Sequence, residues 1–297
     1  MPASGGSPSG RGPAGNHFEG QIGAYYLLAM LAGAEPRGLA GAKIDAVRFQ
    51  GASEGFSLDD VVIHATFDTA PALLEIQAKR TISFAPGDAV FKDVSEQLAA
   101  AETPASIDAT HHQLAVATAR TSYRISGPYQ DVLAWTRTTE SADAFFRRLA
   151  IEGVSSAEMR GFVATFRANL TAAGVSDNDE TIWHFLRRFQ ILEFDFEASA
   201  PLAEQHALDR ARQLLAPEDH GKARGLWSAL IELSIETAKT GGTIDRQALR
   251  RSIAELDFRL VGDAQHAAAR AKTEELAAHA LADIQQRVAT VHLPRTA

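Results

Sequence analysis

Two extended segments joined by a short connection constrain the fold of this chain more than any other feature. The segments are "DDVVIHATF" (59–67) and "ALLEIQAKR" (72–80), both rich in Val, Ile, Leu and Ala. Two such runs separated by four residues that include Asp and Pro predict a β-hairpin. An antiparallel hairpin pairs the start of its first strand with the end of its second.

The second segment alternates apolar and polar side chains. Successive strand residues point to opposite faces, so Glu75, Gln77 and Lys79 are expected to share one face. A solvated strand face gives the same alternation, which therefore decides little by itself. The hairpin adds the useful constraint, because it places Asp59 or Asp60 close to Gln77 and Lys79.

An acid, an amide and an amine gathered in this way suit phosphodiester chemistry. A divalent cation held by Asp60 and the Gln77 amide oxygen could polarise a phosphate, while Lys79 stabilises the negative charge. A further carboxylate is expected, with Glu19 as the first candidate and Glu75 as the next. The chain has no cysteine, which excludes zinc–thiolate sites, and oxygen ligands favour Mg²⁺, Mn²⁺ or Ca²⁺.

The first 120 residues are predicted to form a small mixed α/β unit. Residues 1–16, rich in Gly, Pro and Ser, predict a disordered tail. Asn16 is the expected N-cap of a helix that ends near Gly33. The segments that follow are predicted in this order: strands over 43–50, 59–67 and 72–80, a helix over 88–102, and a strand over 112–119.

From residue 121 the pattern changes to helical periods. We predict an all-helical domain over 121–297, interrupted by the extended stretch "FQILEFDFEA" (189–198). The predicted helical segments are 128–138, 141–151, 155–173, 178–190, 201–216, 219–240, 245–257 and 263–290. The expected organisation is thus a tail (1–16), a mixed α/β domain (17–120) and a helical domain.

Charge and hydropathy exclude several classes of protein. A net charge of −8 argues against a protein whose surface is covered with positive charge for binding nucleic acid, although a local basic groove stays possible. No apolar run approaches the roughly 18 to 20 residues of a membrane helix, and the N-terminus lacks signal-peptide features. We therefore expect a cytoplasmic protein without a membrane partner.

The motifs resemble a known superfamily. The order helix, three strands, helix, strand, with an acid at the head of the second strand and "IQAK" in the third, resembles the PD-(D/E)xK restriction-endonuclease-like superfamily. The segments "GNHFEGQIGAYYLLAML", "SLDDVVIH" and "LLEIQAKR" are similar to the N-terminal double-stranded DNA endonuclease domain of bacterial anti-phage effectors. Such effectors include CBASS nucleases and nucleases that are fused to STAND NTPases or associated with HerA-like ATPases.

The resemblance implies a restriction-endonuclease-like core and a Mg²⁺-dependent endonuclease, with Mn²⁺ as a possible substitute. It assigns the metal ligands to Asp60, Gln77 and Glu19, and it adds Lys79 to them as a catalytic residue. It implies double-stranded DNA as substrate, a homo-oligomer, and a nucleotide-sensing module or a HerA-like or STAND ATPase in cis or in trans. Because the sequence holds no Walker A motif, the chain is expected to be a stand-alone effector, a subunit, or part of a longer protein.

Three alternatives stay open from the residues alone. Asp59 and Asp60 are adjacent, so either could be the main ligand. Glu19 could instead be a first-turn acid that the helix dipole favours. The whole chain could also be a catalytically inactive DNA-binding or assembly module of a defence complex.

Overall fold

A six-stranded mixed sheet forms the centre of the protein, in the order β5–β4–β3–β2–β1–β6. The computed structural model describes residues 13–119, 122–196, 198 and 201–261. The strands are β1 (Ala42–Phe49), β2 (Val61–Phe67), β3 (Ala70–Ala78), β4 (His112–Thr118), β5 (Phe189–Glu193) and β6 (Thr243–Asp245). The helices are α1 (Pro13–Ala32), α2 (Ala89–Ala100), α3 (Gln130–Thr138), α4 (Ala142–Ala150), α5 (Ala157–Ala172), α6 (Asp179–Arg188), α7 (Leu202–Leu214), α8 (Ala223–Thr240) and α9 (Arg246–Glu255).

The predicted hairpin is confirmed. Strands β2 and β3 pair antiparallel from Phe67 opposite Ala70 to Val61 opposite Ile76. The turn is therefore tighter than expected, with only two residues between the strands. One of them, Asp68, has a φ of 52°, a left-handed conformation that aspartate tolerates better than most residues.

Helices cover both faces of the sheet. The inward side chains of α1, α7, α8 and α9 pack on one face, which we call the α1 face, together with Leu74 and Ile76 of β3. Helices α2 to α6 pack on the opposite face, the α2 face, with Leu114 and Val116 of β4. This three-layer arrangement confirms the mixed α/β class, whereas the restriction-endonuclease-like core stays a prediction.

The part of the chain after residue 120 is not all-helical, so this prediction was wrong. Strand β5, which lies in the predicted extended stretch, pairs parallel with β4. Strand β6 pairs antiparallel with β1. A three-residue strand has too little sequence pattern to be recognised, and its pairing partner lies about two hundred residues earlier in the chain.

Both ends of the described chain bear on the predictions. Helix α1 begins at Pro13, so Asn16 lies inside the helix and is not its N-cap. Residues 13–16 therefore belong to α1 and not to a tail, while the rest of the predicted tail (1–12) lies outside the described residues. The predicted helix over 263–290 also lies outside them. Among the described helices, none is long and apolar enough to cross a bilayer.

Asp219 stabilises the turn that precedes α8 through hydrogen bonds. Its carboxylate accepts hydrogen bonds from the Arg259 guanidinium at 3.0 and 3.1 Å and from the Arg259 backbone N–H at 3.1 Å. The Lys222 ammonium lies 3.3 Å away. The hydrogen bonds from Arg259 and the positive charges hold the pKa of Asp219 well below its usual value.

Because the folded-state pKa is lowered, Asp219 contributes stability above about pH 4, and this contribution is lost as the pH falls further. We expect Asp219→Asn to lower the free energy of unfolding at about pH 7 and to lower it by less at about pH 2, because the contribution is lost only as the pH falls toward the lowered folded-state pKa. Urea unfolding at both pH values measures the difference. An equal loss at both pH values would contradict this role of the Asp219 charge.

Candidate functional site

The hairpin register places Asp60 directly opposite Gln77. Because Val61 pairs with Ile76, the residue before β2 faces the one that follows Ile76. Gln77 Nε2 donates to Asp60 Oδ2 at 2.5 Å, and the Ala78 backbone N–H donates to the same oxygen at 2.8 Å. Both side chains are only 1% exposed. The structure thus brings together two of the residues that the sequence assigned to one site.

The carbonyl oxygen of the Gln77 amide is the atom that bears most directly on metal binding. Gln77 Oε1 is buried, and no hydrogen-bond donor of the described chain contacts it. A buried oxygen without a donor is costly, and a hard cation would satisfy it. A carboxylate and an amide oxygen are also the donor types that Mg²⁺ prefers, so the residues present fit such an ion.

Glu19 and both aspartates line one cleft of about 360 Å³. Asp59 and Asp60 lie at the start of β2, and Glu19 enters from the first half of α1. The opposite wall is formed by α8, which sequence reasoning did not connect with the site. The residues that α8 contributes are Ser234, Ile235, Ala238 and Lys239.

Two glycines bring α1 close enough to form this cleft. A Cβ at Gly20 would lie 2.6 Å from Ile235 Cγ1, and one at Gly23 would lie 2.9 Å from Ser234 Oγ. Both distances are too short for real carbon contacts, so only glycine permits this approach of α1 to α8. Glu19 stands directly before the first of these glycines and is thereby held at the cleft.

The carboxylates of the described chain do not form a metal cage by themselves. Within residues 13–261, as far as they are described, no three His, Asp or Glu side chains meet closely enough to hold an ion. Asp60, and not Asp59, is the acid that contacts Gln77. A metal site here therefore depends on the Gln77 amide and on Asp60, and the roles of Glu19 and Asp59 stay predictions.

Lys79 stands one residue beyond the end of β3. Its backbone N–H donates to the Ala117 carbonyl at 2.8 Å, which continues the ladder with β4. Its side chain is half-buried, and its ammonium makes no hydrogen bond or ion pair with the described residues. The convergence of the Lys79 amine with Asp60 and Gln77 stays a prediction, because the structure records no hydrogen bond or ion pair of the amine with either residue.

Glu75 has a different role from the one the sequence allowed. Its Oε2 accepts hydrogen bonds from the backbone N–H groups of Ser57 and Leu58 at 3.0 and 3.1 Å. Its Oε1 lies 2.8 Å from Nε2 of His112, which is fully buried. Both carboxylate oxygens are therefore engaged, and Glu75 serves poorly as a metal ligand.

Arg188, at the end of α6, completes this buried group. Its Nη2 lies 2.9 Å from His112 Nδ1, and its Nε donates to the His112 carbonyl at 3.2 Å. Burial lowers the pKa of Arg188, and the negative charge of Glu75 acts in the opposite direction. Neither contact could be found from the sequence, since Glu75, His112 and Arg188 are far apart along the chain.

Comparison with known proteins adds only weak structural likeness. No protein-family model and no curated protein matches the chain. The Acinetobacter baumannii Cap4 SAVED/CARF-domain containing receptor, solved with the cyclic trinucleotide 3'3'3'-cAAA, is similar with a TM-score of 0.45 and 11% identity. The match covers 82% of this chain and 48% of that receptor, so the chain spans about half of its length. A likeness of this size shows neither a shared fold nor a shared function.

Proposed function

We propose that the chain is a Mg²⁺-dependent endonuclease that cuts double-stranded DNA as an effector of bacterial anti-phage defence. One observation carries the proposal: the buried contact between Asp60 and Gln77 across the hairpin, with Lys79 two residues further on. These are the residues and the strand positions that the resemblance to the PD-(D/E)xK superfamily assigns to catalysis. The restriction-endonuclease-like core is part of the same proposal.

Asp60, Gln77 and Glu19 would hold Mg²⁺, with Mn²⁺ as a possible substitute. The bound ion would polarise the scissile phosphate and lower the pKa of the attacking water. Asp60 is held in place beforehand, because two donors fix its Oδ2 within a buried setting. The oxygen of Gln77 has no competing donor in the described chain, so binding an ion would break no hydrogen bond to it.

Lys79 would contact the substrate and would contribute little to the stability of the fold. The residue is half-buried, and its ammonium has no carboxylate partner in the described part of the chain, so no ion pair there opposes its approach to a phosphate. A compact cation near the phosphate would stabilise the negative charge that develops during hydrolysis. This role requires the phosphate to lie just beyond the end of β3, because Lys79 does not itself line the cleft that holds Glu19 and Asp60.

The activity would be controlled by assembly. An effector that cut host DNA without restraint would kill the cell, so we propose that cleavage requires a homo-oligomer or a partner. A HerA-like or STAND ATPase, or a nucleotide-sensing module, would supply that signal.

Plasmid cleavage with Mg²⁺ tests the proposal. We expect the wild-type protein, assembled with its partner where one is needed, to cut, and Lys79→Ala to cut about 10² to 10³ times more slowly. The variant should unfold close to the wild-type urea concentration, because the lost amine makes no hydrogen bond or ion pair with the described residues. Lys43→Ala, at an exposed position on β1, is the matched control and should cut like the wild type.

Two results would contradict the proposal. Equal cutting by Lys79→Ala would remove this lysine from the mechanism. Retained DNA binding or oligomerisation without any cleavage, in the presence of partner and Mg²⁺, would instead favour a catalytically inactive DNA-binding or assembly module.

A further inference from the structure

A buried chain of hydrogen bonds runs from α6 to the segment that carries Asp60. It starts at the Arg188 guanidinium, passes through the His112 imidazole at 2.9 Å, and reaches the Glu75 carboxylate 2.8 Å further on. It ends at the backbone N–H groups of Ser57 and Leu58. His112 and Glu75 are 0% and 2% exposed, so water does not compete for these bonds.

The chemistry of the groups fixes the direction of the chain. A guanidinium only donates hydrogen bonds, so His112 Nδ1 must accept from Arg188. The ring proton then lies on Nε2 and is donated to Glu75 Oε1. Thr103 Oγ1, at 3.1 Å, is the other polar neighbour of Nδ1. Each group in the chain is therefore held by the one before it.

The last step of the chain acts on the candidate site. Leu58 precedes Asp60 by two residues, in a segment that has no regular secondary structure immediately before β2. Glu75 holds the backbone of this segment at two consecutive amides, and it lies on the same strand as Gln77. The positions of Asp60 and Gln77 relative to each other thus depend on a carboxylate that does not itself touch the cleft.

We infer that Arg188, His112 and Glu75 form a positioning relay through which helix α6 sets the geometry of Asp60. The inference rests on the proposed function for the importance of Asp60, but the relay itself is a property of the fold. The relay connects α6 to the candidate site and so provides a path by which changes at this helix regulate the site. A partner that shifted α6 would loosen Glu75 and, with it, the segment before β2.

Hydrogen exchange measures the relay without any cleavage. In Arg188→Met, which keeps the length of the side chain but removes its donors, we expect the amides of residues 57–60 to exchange about 10-fold faster. Arg187→Met is the matched control, because Arg187 stacks on Trp183 at 4.7 Å and lies outside the chain of hydrogen bonds. Arg188→Lys restores a donor to His112 Nδ1 and should recover slow exchange.

Metal binding gives a second readout. Calorimetric titration with Mn²⁺, in the absence of DNA, should show an affinity about 10-fold lower for Arg188→Met than for the Arg187→Met control. If Arg188→Met fails to fold, Glu75→Gln replaces it, since the amide keeps the side-chain volume but can accept through one oxygen only. The same faster exchange over residues 57–60 is expected there.

The outcomes separate the relay from the proposed function. Unchanged exchange over residues 57–60 in Arg188→Met, with faster exchange confined to α6 and β5, would overturn the relay and leave Arg188 as a local anchor. A wild-type protein that binds no Mn²⁺ and cuts no DNA would overturn the proposed function, and the exchange measurement would still decide on the relay.

Discussion

Asp60→Asn should abolish Mg²⁺-dependent cleavage of double-stranded DNA, with a loss of about 10³-fold or more in the single-turnover rate. Asp60 is the one acid in the described chain that contacts Gln77, so it is the negative charge that a cation at this pair would meet. Asparagine removes that charge without changing the shape of the side chain. Its Oδ1 can still accept from Gln77 Nε2 and from the Ala78 N–H, as Asp60 Oδ2 does.

Because these two hydrogen bonds survive, we expect the variant to keep its fold. The free energy of unfolding, measured in urea, should therefore change by less than about 2 kcal/mol, while Mn²⁺ binding measured by calorimetry is lost. Asp45→Asn is the matched control, because Asp45 is an exposed acid on β1 whose carboxylate accepts a hydroxyl hydrogen bond from Thr66 at 2.7 Å. Wild-type cutting by Asp60→Asn would exclude this site from catalysis, and Asp59→Asn in the same assay assigns the main ligand.

The pairing of Asp60 with Gln77 could be predicted because it depends only on local features. The alternating apolar residues identify the two strands, and the short connection forces them into one hairpin. An error of one or two residues in the turn still leaves the start of β2 beside the end of β3. The true turn at Asp68 and Thr69 fixes the register and selects Asp60 over Asp59 as the partner of Gln77.

The sequence could not distinguish the burial of Glu75, Gln77 and Lys79. All three alternate on one strand face, and an exposed sheet surface would give the same pattern. The structure buries Glu75 and Gln77 beneath α2 to α6 and leaves Lys79 half-buried beyond the strand. This difference depends on the packing of helices that lie elsewhere in the chain, most of them beyond residue 129, and the local sequence pattern does not indicate it.

Distant partners also explain the other features that the sequence did not reveal. Arg188 reaches His112 across 76 residues of chain, and α8 closes the cleft opposite Glu19 from more than two hundred residues away. Such contacts are set by the packing of whole elements and have no periodicity of their own. The close approach of α1 to α8 is the exception, because two glycines in one helix are visible in the sequence, although their contacts are not.

Gly23→Ala should lower the free energy of unfolding by about 2 kcal/mol or more. A Cβ at this position would overlap Phe49 Cε1 and would lie 2.9 Å from Ser234 Oγ. Phe49 is 2% exposed and Ser234 is fully buried, so neither can move aside without disturbing the core. The cost of overpacking, about 1–3 kcal/mol or more, exceeds the roughly 1 kcal/mol that alanine gains over glycine inside a helix.

Gly161→Ala is the matched control, because Gly161 also lies inside a helix but has no atom within 4 Å of an added Cβ. That variant should gain about 0.5–1 kcal/mol, so the two substitutions should shift the urea midpoint in opposite directions. Gly23→Ala should also weaken Mn²⁺ binding, since α1 carries Glu19 at the cleft and an added Cβ would push α1 away from α8. If both variants were stabilised alike, the close packing of α1 on β1 and α8 would be wrong, and with it the placement of Glu19 in the same cleft as Asp60.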